Sequence, residues 1–280
     1  MGYFKIRSHA KINLALNVVG KSHSLHKIET IISFLNLHDE IFIKIIKSKN
    51  HKIKFKGKFS NKISSSNTIS RLLEILDKKK LIKNTKFQII IKKNIPSKAG
   101  LGGGSMNAAA ILKFLMKKKL IKISSQEMNE VCHLIGSDVI LGLHSNHLVL
   151  KSNNMIKNFL IKNNIFTLIV KPSFGCSTKK IYSANKTFSK SEFNKTKKNI
   201  VKNVILNGKN DLEKSAFKLY PALKKIKNLL DQNKQARFVR MTGSGSAIIM
   251  YFNSNKFAKN ALKIYKRKLN NCLCIITKTI

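Results

Sequence analysis

The run Pro96-Ser97-Lys98-Ala99-Gly100-Leu101-Gly102-Gly103-Gly104-Ser105 limits how this chain can fold more than any other part of the sequence. The apolar, β-branched segment Phe87–Ile91 before it reads as a strand, and a helix is expected after it from about Ser105 to Lys118. Strand, glycine loop and helix start together form a cradle. Glycines let the backbone approach a ligand closely, and the unpaired N–H groups of a helix N-terminus favour phosphate. A plain flexible turn needs fewer glycines than this, and no Ser and Asn at the helix start. The loop is not a Walker loop, since no Gly-Lys-Ser/Thr follows. It is not the dinucleotide fingerprint either, since Ser105 stands at the third glycine position.

Around the loop, apolar runs Tyr3–Arg7, Ile12–Val19, Ile41–Ile46 and Ile53–Phe55 read as strands. Ser66 or Asn67 can cap a helix whose apolar face is Ile69, Leu72, Leu73 and Leu76. A helix is expected near Gln126–Leu134 and strands near His147–Leu150 and Phe166–Val170. The Asn- and Lys-rich stretch 151–164 reads as a domain boundary. Beyond it come a helical stretch Leu212–Leu230 broken at Pro221, strands Arg237–Arg240 and Ala247–Phe252, a helix Lys256–Lys268 and a strand Cys272–Thr277. Strands and helices alternate without a repeat. The expected class is α+β in two domains, 1–155 and 156–280.

Charge raises a rival reading, because 55 Lys+Arg against 12 Asp+Glu give a formal net charge of +43. Such an excess suits nucleic acid, an anionic surface or small polyanions. Only 5 of the basic residues are Arg, however, and base-edge recognition favours the guanidinium fork. The lysines are scattered, and no helix-turn-helix, zinc module or basic-aromatic stacking motif is present. No specific nucleic-acid partner and no membrane span are expected. The four cysteines lack metal-like spacing and suit a reducing cytoplasm.

Four segments in order carry a family resemblance. Pro96–Ala110 resembles the phosphate loop of the GHMP small-molecule kinases, and Met241-Thr242-Gly243-Ser244-Gly245-Ser246-Ala247 resembles their C-terminal glycine loop. Gly136-Ser137-Asp138-Val139 is similar to their aspartate motif. Ala10-Lys11-Ile12-Asn13-Leu14, with Gly20 and His26 downstream, is similar to the opening of the branch that acts on 4-diphosphocytidyl-2-C-methyl-D-erythritol in the non-mevalonate isoprenoid pathway. The resemblance implies an N-terminal α/β domain like ribosomal protein S5, a ferredoxin-like C-terminal domain and an active site between them.

It also implies ATP-dependent phosphorylation of a hydroxyl of a cytidyl diphosphate substrate. ATP would lie over Pro96 and Gly100, Leu101, Gly102, Gly103, Gly104 and Ser105, with Asn107 near the triphosphate and Asn67 at the adenine side. Asp138 and Lys11 would be catalytic. Asn13, His26, Thr178 and Tyr182 would contact the substrate, and Gly243, Ser244 and Gly245 would form the second loop. A Mg²⁺ ion would find its protein ligand in Ser105, because Met106 replaces a usual serine. Phosphoryl transfer has a loose transition state with late demand on the nucleophile, so an aspartate that orients the hydroxyl and takes its proton late suffices. A lysine then stabilises charge developing on the phosphoryl oxygens. Ser24-Leu25-His26 replaces the branch's usual Asp-Gly-Tyr-His run, which removes a stacking ring and raises a homoserine- or mevalonate-type kinase as the alternative.

Overall fold

A computed structural model describes the chain except residues 1, 23–24, 62, 84, 145–146, 161–163 and 196–204. The strands are β1 (Phe4–Ser22), β2 (Leu25–Ile46), β3 (Lys52–Lys56), β4 (Lys86–Lys92), β5 (His147–Leu150), β6 (Ile156–Phe159), β7 (Phe166–Pro172), β8 (Phe238–Met241), β9 (Ile248–Phe252) and β10 (Cys272–Lys278). The helices are α1 (Thr68–Lys78), α2 (Gly103–Lys117), α3 (Ser125–Ile135), α4 (Thr178–Ala184), α5 (Leu212–Leu219), α6 (Pro221–Asp231) and α7 (Asn255–Lys268). Two compact units emerge, and they interleave along the chain. Unit 1 holds residues 1–10, 37–96 and 102–145, and unit 2 holds 11–36, 97–101 and 146–280.

In unit 1 the end of β2 pairs antiparallel with β4 (Glu40 opposite Lys92), and β4 pairs parallel with β3 (Ile53 opposite Ile89). The parallel pair requires a crossover. That connection carries α1, whose Ile69, Leu72, Leu73 and Leu76 are all buried, as their i, i+3, i+4, i+7 spacing demands. These residues meet Phe87, Ile89 and Ile91 of β4 and Ala108, Ile111, Leu112 and Leu115 of α2 in one core. Burying side chains of this size contributes about 1.5–3 kcal/mol each.

In unit 2 the start of β2 pairs with β5 (Ile31 opposite Val149), and β5 forms a hairpin with β6. The 151–164 stretch therefore contains a paired strand; its Asn and Lys suit a short edge strand. A second sheet runs β10-β7-β9-β8, fully antiparallel, the order of a βαββαβ ferredoxin-like layer. Its core joins Leu168 and Val170 to Leu212, Leu223, Ile248, Met250, Ala258 and Tyr265, with Leu16 and Val18 of β1 packed in. Pro221 opens α6, and α5 ends two residues earlier at Leu219, since proline suits a first helical position and not an interior one.

Two expectations differ from the structure. Apart from Tyr3, the runs Tyr3–Arg7 and Ile12–Val19 belong to one 19-residue strand, and Ile41–Ile46 is the end of a 22-residue strand. The polar residues that break the apolar pattern, among them Asn13, Asn17, Glu29 and Thr30, are buried inside those strands.

Candidate active site

Unit 1 carries the helix-start half of the glycine loop. Gly102 is the N-cap of α2 with φ +69°, and no side chain caps the helix. The opening N–H groups of α2 therefore meet no side-chain oxygen of the cap, which is the arrangement that accepts an anion. Gly103 and Gly104 must be small: a Cβ on Gly103 would stand 3.2 Å from Ile95 Cγ2, and one on Gly104 3.2 Å from Thr68 Oγ1. Thr68 Oγ1 donates to the Gly104 carbonyl (2.9 Å), tying the start of α1 to α2.

Asn67, expected at an adenine, caps α1. Its Oδ1 accepts from the Ile69 and Ser70 N–H groups (3.0 and 3.1 Å), and its Nδ2 donates to the Ser64 and Ser65 carbonyls. All four hydrogen-bonding positions of that amide are occupied locally. Asn107 is buried, and its Nδ2 donates to Asp39 Oδ2 (3.0 Å). Met106 also faces the interior, with Sδ and Cε 3.1 Å from the Cβ position of Gly142.

Asp138 lies in the turn after α3, half-buried, where the Val139 N–H closes onto the Gly136 carbonyl (3.0 Å). A Cβ on Gly136 would stand 4.0 Å from Ser105 Oγ, so the aspartate turn and the start of α2 are neighbours. The 3-10 turn Ile140–Leu143 then packs on α2. Gly142 permits it, since a Cβ there would be 2.6 Å from Ala109 Cβ.

Unit 2 carries Lys11 at its first residue. The Lys11 N–H donates to the Leu101 carbonyl (3.0 Å), and Nζ donates to Asn13 Oδ1 (2.9 Å). Asn13 Nδ2 donates to Thr30 Oγ1 (2.9 Å), and Thr30 Oγ1 donates to the Ala15 carbonyl (2.6 Å). Asn13 is 2% exposed, so its amide aims the lysine rather than presenting itself at a surface. Its own N–H donates to Thr242 Oγ1 (3.0 Å). Gly100 has φ +74°, and a Cβ there would stand 2.1 Å from the Thr242 carbonyl oxygen, so only glycine fits. Asn210 Nδ2 donates to the carbonyls of Met241 and Gly243 (2.9 and 2.8 Å). Thr178 and Ser244 share a hydroxyl–hydroxyl bond (2.8 Å).

The ring of His26 lies 5.1 Å from Tyr182 and 6.5 Å from Phe188, centroid to centroid. Burial, with a smaller contribution from the Lys21 charge, pushes the His26 pKa below the usual histidine value and favours the neutral ring. The imidazole and the phenol ring are tilted by 45° to each other and together make an angled, partly apolar surface with polar edges. Of the Ser24-Leu25-His26 departure, Ser24 lies outside the described residues.

Several residues that build this geometry were not singled out from sequence: Thr30, Asn210, Thr68, Asp39 and Lys93. Thr30 is a polar residue set against the apolar Ile31 and Ile32, whereas Asn210 stands between Lys209 and Asp211 and carries no such signal. Among the described residues there is no group of three or more His, Cys, Asp or Glu able to hold a metal, and no helix long and apolar enough to cross a membrane. The four cysteines are free thiols.

The family described as GHMP kinases N terminal domain matches residues 67–148, and GHMP kinases C terminal matches 196–271. A 4-diphosphocytidyl-2-C-methyl-D-erythritol kinase of Pelagibacter ubique is 53% identical over 281 residues, covering 100% of both chains. Kinases of the same name from Petrotoga mobilis and Anaplasma marginale are 31% and 32% identical, over 89% and 95% of this chain and 99% and 93% of theirs. A crystal structure of 4-(cytidine 5'-diphospho)-2C-methyl-D-erythritol kinase superposes with a TM-score of 0.80 at 20% identity, covering 99% of both chains. A homoserine kinase from Cytophaga hutchinsonii superposes at 0.68 and 14% identity, covering 99% of this chain and 94% of that one. With both family domains present in order and a full-length relative at 53% identity, this chain belongs to the GHMP kinases.

Proposed function

We propose that this protein transfers the γ-phosphoryl group of ATP to a hydroxyl of the methylerythritol portion of 4-diphosphocytidyl-2-C-methyl-D-erythritol, a step of isoprenoid precursor synthesis. The observation that carries this reading is the 53% identity, over the whole chain, to a kinase of that name. The geometry supports it. The uncapped start of α2 suits the triphosphate, with Pro96 and Gly100–Ser105 shaping the loop and Asn107 fixing the helix beneath it.

The hydroxyl oxygen attacks the γ-phosphorus, ADP leaves, and Asp138 accepts the hydroxyl proton late in the transfer. Lys11, aimed by Asn13, stabilises charge on the phosphoryl oxygens. His26 and Tyr182 form the wall for the cytosine, while Thr178, Ser244, Gly243 and Gly245 lie at the substrate-side loop. Asn67 contributes on the adenine side by capping α1. Mg²⁺ is typically held by one or two protein groups plus substrate phosphates, and Ser105 in the first turn of α2 would be the protein ligand. When bound it neutralises the phosphate oxygens.

The N- and C-terminal kinase domains are assigned to 1–155 and 156–280, in keeping with the two family matches. The free thiols fit a reducing cytoplasm. The test is a substrate panel of the cytidyl-linked alcohol, homoserine and mevalonate with ATP. Turnover of the cytidyl-linked alcohol alone is expected, with Asp138→Asn slowed about 10²–10⁴-fold and still folded. Preference for homoserine or mevalonate overturns the substrate, and unchanged turnover in Asp138→Asn overturns the base.

A further inference from the structure

Asp39 is a fully buried carboxylate on β2, in a chain with 12 acids. Its Oδ1 accepts the N–H groups of Asn94 and Ile95 (2.7 and 2.9 Å). Its Oδ2 accepts Asn107 Nδ2 (3.0 Å) and the ammonium of Lys93, itself 5% exposed. Asn94 and Ile95 are the residues just before Pro96, and Asn107 stands in the first turns of α2. One carboxylate thus grips both stems of the glycine loop. We propose that Asp39 is the positioning residue of the nucleotide loop, holding residues 96–106 in their phosphate-binding form before ATP arrives.

The physical need is specific to this loop. Glycine loses more conformational freedom on ordering than any other residue, and a loop ordered only by its ligand weakens binding by that amount. Fixing both stems removes most of the cost in advance. A carboxylate suits the task because it accepts from four donors and donates to none, whereas an amide would turn an NH₂ group against Asn107 or Lys93. A bare buried carboxylate beside an anion site would also repel phosphate. Lys93 removes that conflict from the loop side: its Nζ lies 3.3 Å from the Cβ position of Gly103. The Asn107 Oδ1 is buried without a hydrogen-bond partner, so its amide is held by Asp39 on the nitrogen side alone.

The inference rests on ATP binding at α2, and the experiment separates the two. The full-length protein and the variants Asp39→Asn and Asn107→Ala are compared. ATP affinity is measured by calorimetry without acceptor, KM for ATP and acceptor by initial rates, and folding by thermal melting. Asp39→Asn is expected to weaken ATP at least tenfold while acceptor KM stays within twofold. If Asp39→Asn fails to fold, Asn107→Ala still severs one stem and should weaken ATP selectively. Unchanged ATP affinity in a folded variant, or equal weakening of ATP and acceptor, overturns the proposal. ATP binding by wild type without turnover of the cytidyl-linked alcohol would remove the proposed activity and leave the clamp decided by calorimetry. Wild type that binds no ATP overturns the clamp.

Discussion

The glycines at 102–104 and those at 243 and 245 look alike in sequence, yet their backbones are used in opposite ways. The first set opens a helix with no side-chain cap, so its N–H groups are directed outward from the protein's own bonding. The second set joins β8 to β9 and is tied down from several sides: Asn210 holds the Met241 and Gly243 carbonyls, and Ser246 Oγ donates to the Phe174 carbonyl (2.8 Å). The first loop leaves its helix start without a side-chain cap. The second uses its polar groups on the fold. A glycine-rich segment is therefore informative only together with where its hydrogen bonds go.

That contrast breaks most severely at Gly100, the residue that touches the second loop. Gly100→Ala must place a Cβ into the Thr242 carbonyl at a positive φ, and we expect a loss of about 3 kcal/mol or more in urea unfolding together with loss of turnover. Next in size is Asn210→Ala, which leaves two buried carbonyls unpartnered. About 2 kcal/mol of stability should disappear while KM for ATP stays near wild type. Gly104→Ala should show the reverse: stability within about 1 kcal/mol of wild type, because alanine favours helices, but weaker ATP binding at the crowded cradle. If both variants altered stability and ATP affinity in equal proportion, the distinction between the loops would fail.

A smaller effect is set by pH. Burial, the leading cause in each case, holds the pKa values of His26, His51 and His147 below the ordinary histidine value. The unfolded chain then binds more protons than the folded one as pH falls below about 6.5. The contribution of these neutral rings is complete above that pH and is lost progressively as pH drops through their folded values. Thermal melting should fall on acidification, and His147→Gln should flatten the slope, since His147 is buried against Ser33 Oγ (2.8 Å).

The segments legible in the sequence were those whose neighbours along the chain decide their structure. The apolar face of α1, the break at Pro221, the strand β5 and the glycine loop all depend on spacing within a few residues. What escaped was the continuity of β1 and β2. Glu29 shows why: it interrupts an apolar run, yet its carboxylate is satisfied by Asn17 Nδ2 (3.0 Å), Ser191 Oγ (2.8 Å) and the N–H groups of Glu192 and Phe193. Partners more than 160 positions away leave no periodic trace. The same holds at the site, where Lys11 and Gly100 were legible from motif context. Thr30, Asn210 and Asp39 acquire meaning only once their partners are known.

The interleaving of the two units has a consequence for anyone who would take the protein apart. The chain passes from one unit to the other at Ala10–Lys11, Asn36–Leu37, Pro96–Ser97 and Leu101–Gly102, among other places. No single cut yields either unit whole, and a fragment beginning at residue 156 would lack the strand residues 11–36 that belong with it. Split reporters, domain transplants and truncation libraries built on a linear boundary would therefore sever Lys11 from the unit that aims it. Insertions that respect the fold belong at solvent-facing turns such as the β5–β6 hairpin, where both flanking strands stay on one side of the partition.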